Sequence, residues 1–163
     1  MTNALPVIDL AAGDDESVAA QIGAACCEVG FFYMINHGVE PALIAEVFAE
    51  AKRFFALPLE EKRAIAIEKV RGNRGYSGLM HEALDPSRGP DMKEAFNVGL
   101  ALKPDDPDLL AGKPFPAPNA WPDLPGFRET LLAYFDACMD LGAHPPRLRV
   151  RSRPRLGFLR RQV

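Results

Sequence analysis

The chain has 163 residues, 48% of them hydrophobic and 25% charged, with a formal net charge of −3. That suits one ordinary globular domain, and no run approaches the roughly 18 apolar residues of a membrane-spanning helix. The net charge hides two regions: residues 1–144 hold 22 acidic and 12 basic residues, whereas Pro145–Val163 holds seven arginines and no acid. A body this acidic argues against a nucleic-acid-binding core.

The pattern in chain order begins with PVIDL (Pro6–Leu10), short and β-branched, which predicts a strand. DDES then places acids and a capping serine, Ser17, before a helix. Val18, Ile22, Ala25 or Cys26, and Val29 follow at helical spacing, and Gly30 is the expected stop. Cys26 and Cys27 are expected as small core residues in its last turns. Phe31–Ile35 predicts a second strand and Asn36–His37–Gly38 a turn. Pro41 opens a second helix, with Leu43, Ile44, Val47, Phe48, Ala51 and Phe55 as its apolar face. Leu57–Pro58 breaks it, and Glu60, Glu61, Lys62 and Arg63 mark another helix. Loops around a short strand near Tyr76 are expected over 71–90, and a strand over Lys93–Gly99. Residues 103–126, with seven prolines and four aspartates, predict an irregular surface loop. Phe127, Leu131, Tyr134, Phe135, Cys138 and Leu141 mark a final amphipathic helix.

The signals for chemistry are thin. The three cysteines, Cys26, Cys27 and Cys138, make a poor disulfide framework because two are adjacent and the count is odd. The start, MTNALPVIDL, lacks the basic region and long apolar run of a signal peptide. A reduced, cytoplasmic protein is therefore expected. The histidines read HGV, HEA and HPP at His37, His81 and His144, with no i, i+4 pair, so no metal site is expected. His37 is expected as a turn residue and His81 as a loop side chain. Nucleophile elbows, Walker loops and dinucleotide-binding glycine patterns are absent from the sequence. RGNRGYSG (Arg71–Gly78) is read either as an anion-holding loop or as a flexible one. On residues alone the expectation is an α+β domain without a complete catalytic set.

Five blocks then stand together: PVIDL, GFFYMINHGV, FFALPLEEK, NRGYSG and DMKEAFNVG. In this order and spacing they resemble the N-terminal region of non-haem Fe(II), 2-oxoglutarate-dependent oxygenases of the isopenicillin N synthase type. The resemblance runs from about Pro6 to Gly142. It implies a helical and partly stranded cap that packs on a C-terminal double-stranded β-helix, a jelly roll. In that family a His-x-Asp pair and a distant His bind Fe(II), and an Arg-x-Ser pair holds the 2-oxoglutarate carboxylate. This sequence contains neither pair.

The resemblance therefore implies residues 1–142 as the oxygenase N-terminal domain, without the jelly roll, and 143–163 as an aberrant Arg/Pro-rich tail. The tail is expected to be disordered, and a frameshift near codon 143 is its expected origin. No catalytic residue, metal or cofactor is expected for this chain, against Fe(II) and 2-oxoglutarate for full-length relatives, which act on small molecules. Carried over by residue, Arg74 and Tyr76 are the candidates for substrate contact: a guanidinium suits a carboxylate and the phenol can hydrogen-bond it. A salt bridge and a core aromatic are the alternative for these two. Phe96 is expected to pack the cap, and Asp91, Lys93 and Glu94 to anchor their strand. Self-association is expected through the faces Leu43–Phe55 and Phe127–Leu141, with no membrane or nucleic-acid partner. The competing reading is a non-enzymatic binding module whose basic tail holds nucleic acid.

Overall fold

The computed structural model of the protein describes residues 4–70, 72–83, 85, 87, 89–113 and 116–143. The element order is β1 (Val7–Asp9), α1 (Asp15–Glu28), β2 (Tyr33–Ile35), α2 (Pro41–Phe55), α3 (Leu59–Ala64), β3 (Gly75–Ser77), β4 (Ala95–Asn97), α4 (Pro107–Leu110) and α5 (Phe127–Ala143). The α+β expectation holds, in two units. One contains β1, α1, β2 and the end of α5 from Ala137; the other is Glu40–Asp136.

In the first unit β1 and β2 pair in parallel, Val7 with Tyr33, Ile8 with Met34 and Asp9 with Ile35. Alternation sends Ile8 and Leu10 inward, where they pack with Val18, Ile22 and Ala25 of α1 and with Phe32, Met34 and Leu141. The N-cap of α1 is Asp14, which accepts from the Ser17 amide at 2.8 Å. Ser17 thus receives the cap instead of supplying it, because the helix begins at Asp15, two residues before it. Gly30 ends the helix at φ +87°, its amide donating to Ala25 O at 2.9 Å, the left-handed stop that glycine adopts freely. Cys26 and Cys27 are exposed, contrary to expectation. Ala25 takes the core position, since only one of three consecutive residues can face the strands.

In the second unit α2 starts at Pro41, which sits at the permitted first position. Its innermost side chain is Phe54, fully buried, whereas Phe48, expected on the apolar face, is 66% exposed. Phe54 centres a ring cluster with Phe55, Phe96 and Phe127 at centroid separations of 5.1, 4.8 and 5.2 Å, and with Tyr76 at 6.2 Å. Offset and edge-on rings at such separations attract beyond the area they bury. Trp121, Leu124 and Leu131 pack around it.

β3 and β4 form an antiparallel pair with Tyr76 opposite Phe96. The other edge of β3 is bonded to the segment after α3: the Tyr76 amide donates to Ile65 O (3.0 Å) and the Ile67 amide to Tyr76 O (2.9 Å). Inside the expected loop the structure adds the short α4, because Asp106 accepts from the Asp108 and Leu109 amides and Pro107 stands at its start. Among the described residues no helix is long and apolar enough to cross a membrane. The Arg/Pro-rich tail and His144 lie outside the described residues.

Candidate functional site

Glu94, just before β4, is the hub of a polar cluster inside the second unit. Its Oε1 accepts from Lys62 Nζ at 2.8 Å and from the Tyr76 hydroxyl. Lys62 also donates to the Phe55 carbonyl at 3.1 Å, and its ammonium stands 5.5 Å from the centre of the Tyr76 ring. Three sequence neighbourhoods thus meet: the end of α2, α3 and the β3–β4 pair. The hydrogen bond from Lys62, then that from Tyr76, holds the Glu94 carboxyl below the usual carboxylate range. Burial, and then the adjoining carboxylate, push the Tyr76 phenol up to about 12.

Tyr76 is therefore a core aromatic with a committed hydroxyl, 2% exposed. Arg74, two residues earlier, is half-buried and has separate partners. Its Nη1 donates to Gly72 O at 2.7 Å, while its Nε is buried without a hydrogen-bond partner among the described residues. The guanidinium lies on Gly99. A Cβ at position 99 would stand 2.2 Å from Arg74 Cζ and Nη2 and 2.4 Å from Nε.

Gly99 is itself clamped. Its amide donates to Asn119 Oδ1 and its carbonyl accepts from Asn119 Nδ2, both at 2.8 Å. Of the residues expected to anchor this strand, Lys93 pairs with Glu82 at 2.6 Å and meets Asp91 at 3.9 Å, and Glu94 pairs with Lys62 at 2.8 Å. Phe96 packs the ring cluster, also as expected. Lys62, Gly99 and Asn119 were not singled out from sequence. Lys62 reads locally as one more basic residue near a helix C-terminus. Asn119 lies in a proline-rich stretch with no period to flag it.

The histidines have local roles. His37 Nδ1 accepts from the Val39 amide at 3.1 Å inside its turn, and His81 Nδ1 meets Glu68 at 2.9 Å. Among the described residues no three His, Cys, Asp or Glu side chains come together where they could hold a metal ion.

The chain and its fold have clear relatives. A family model described as non-haem dioxygenase in morphine synthesis N-terminal matches residues 5–124. Kihadalactone A synthase LFS of Citrus sinensis is 38% identical over 142 residues, covering 85% of this chain and 41% of that protein. The 2-oxoglutarate-Fe(II) type oxidoreductase hxnY of Emericella nidulans is 36% identical over 146 residues, covering 83% of this chain and 42% of that protein. A full-length Neurospora crassa protein solved in complex with alpha-KG superposes with a TM-score of 0.66 at 31% identity, over 85% of this chain and 43% of that one. The chain thus spans about two-fifths of the length of these curated relatives. With most of its length matched by the family model, the chain belongs to the non-haem dioxygenase N-terminal family and corresponds to the N-terminal part of 2-oxoglutarate-Fe(II) oxygenases.

Proposed function

We propose that residues 1–142 serve as the N-terminal domain of an Fe(II)/2-oxoglutarate-dependent oxygenase that oxidises a small molecule, with 143–163 an Arg/Pro-rich segment outside that domain. The observation that carries the reading is the family match over residues 5–124, which takes in all five sequence blocks in order. Relatives support a small-molecule substrate: one Neurospora structure holds alpha-KG and thymine. The residues described here do not fit the family's iron: His37 and His81 have other partners, and no three candidate ligands converge. The sequence also lacks His-x-Asp and Arg-x-Ser. No chemical step is therefore assigned to this chain, and it is inactive on its own.

The part proposed for this domain is substrate recognition. Arg74 meets a carboxylate or other anionic group of the substrate, since a guanidinium is suited to a forked contact with such a group. Tyr76, buried and bonded to Glu94, serves the same contact from behind by holding β3 in place. The test is a chimera in which residues 1–142 replace the matching region of the Neurospora relative. Consumption of 2-oxoglutarate with a changed small-molecule preference, lost again with Arg74→Met, is expected. A folded chimera whose preference does not depend on this domain would refute the assignment.

The competing reading, a binding module with a nucleic-acid-holding tail, rests on the seven arginines of Pro145–Val163. It requires DNA affinity that falls steeply with salt and disappears on removal of the tail.

A further inference from the structure

Arg74 rests on a position where only glycine leaves room. Gly99 is not among the glycines with positive φ, so backbone conformation does not call for glycine there. Space does: any Cβ at this position would lie well inside contact distance of Arg74 Cζ, Nη2 and Nε. The backbone of Gly99 is also held from both sides by one side chain. Asn119 uses its carbonyl on the Gly99 amide and its amino group on the Gly99 carbonyl, 20 residues away in sequence. Such a two-point clamp removes the freedom that a glycine otherwise has. Among the described residues Arg74 in turn is tethered at one end, by Nη1 to Gly72 O.

We infer that Gly99 and Asn119 are positioning residues for Arg74, forming a rigid backbone shelf that sets the guanidinium for an anionic group of the ligand. The ligand part rests on the reading of Arg74 proposed above, while the shelf itself does not. The shelf explains a combination that packing alone leaves odd: a charged side chain whose buried Nε has no partner among the described residues, lying against a glycine that a dedicated asparagine pins. An arginine held this way is pre-organised, so less side-chain freedom is lost when an anion binds.

The geometry makes Gly99→Ala a directed perturbation. The atoms its new Cβ would meet belong to the far end of a flexible side chain, so Arg74 moves off while the backbone stays. Asn119→Ala frees the shelf without adding an atom.

Both variants are tested in the full chain by labelling arginines with phenylglyoxal and reading each site by peptide mass. Exposed Arg128 is the internal reference. In the wild type Arg74 labels more slowly than Arg128. In Gly99→Ala its rate rises about tenfold, the factor for losing one hydrogen bond to a charged group, and Asn119→Ala moves it in the same direction. Succinate, used as a carboxylate probe, slows Arg74 labelling in the wild type and loses that effect in both variants. If Arg74 keeps its wild-type rate in Gly99→Ala, the shelf is refuted. If Gly99→Ala unfolds, seen as faster labelling of every arginine, Asn119→Ala decides the matter in the same way. If the rates respond but succinate never protects, the shelf stands and the anion-contact role of Arg74 falls.

Discussion

Glu94 receives two donors on one oxygen, and the two are not equally replaceable. The Lys62 side chain is 8% exposed and that of Glu94 25%, so the lysine is the more deeply buried charge. Removing one member of a buried pair leaves the other uncompensated, and the cost follows the burial of the charge left behind. Glu94→Gln, which strands the Lys62 ammonium, is expected to lower stability by about 3 kcal/mol, the lower end of the range for buried pairs because this one is partly solvated. Lys62→Met, which strands the better-solvated carboxylate and keeps an apolar stem, costs less. Urea unfolding midpoints of the two variants give the order, and the reverse order would contradict this account of the cluster.

Tyr76 makes the same cluster sensitive to base. Its phenol titrates near 12 in the folded chain, against about 10 for an unfolded tyrosine. A group whose folded value is raised stabilises fully below its unfolded value and loses that contribution as pH climbs through the folded one. The stability gap between wild type and Tyr76→Phe is therefore expected to be constant at neutral pH and to shrink between about pH 10 and pH 12. Thermal melts of both proteins across that window measure it. A gap unchanged through pH 12 would contradict both the burial of the phenol and its bond to Glu94.

Among the elements, β3 depends most on a single residue. Gly75 has φ +91°, and a Cβ there would stand 2.2 Å from the Ile65 carbonyl oxygen, a backbone atom of the segment bonded to β3. Gly30, at φ +87°, has nothing within 4 Å of the same position. Both alanine variants incur the left-handed penalty of roughly 1–2 kcal/mol. Only Gly75→Ala also drives backbone against backbone, so it should be clearly the more destabilising of the two, which denaturant melts of both would check. Equal losses would mean that the contact with Ile65 is not tight. In α2, Phe54→Ala removes the ring around which Phe55, Tyr76, Phe96 and Phe127 pack, and about 3–5 kcal/mol is expected from the lost burial and the cavity. Phe48→Ala in the same helix should be nearly silent, because Phe48 faces outward.

For the molecule as a whole, the expected result of an anaerobic Fe(II) titration of these 163 residues is no stoichiometric binding and no succinate from 2-oxoglutarate. The basis is the lack of His-x-Asp and Arg-x-Ser in the sequence and of a three-ligand cluster among the described residues. Stoichiometric iron with decarboxylation would overturn it. Removing Pro145–Val163 is expected to leave the melting of the remaining chain unchanged, since that stretch offers little apolar surface to offset its ordering entropy.

Most of the elements were legible because their causes are local, whereas the short α4 and the exact cap of α1 were not. Apolar spacing along α1 and α2, Pro41 at a helix start, Gly30 at a helix stop and the turn at Asn36–Gly38 all act over a few residues. The block order likewise carried the family. What the sequence left open was which of several equivalent side chains each element turns inward. Phe48, Phe54 and Phe55 are alike as residues, and only the placement of β3, β4 and α5 decides that Phe54 is the centre. Lys62 and Glu94 are 32 residues apart and Gly99 and Asn119 are 20 apart, with no local period joining either pair. Arg74 and Tyr76 were legible as a motif, yet their division of labour was not. Burial commits the phenol to Glu94 and leaves the guanidinium on its glycine shelf, and burial is a property of the packed chain.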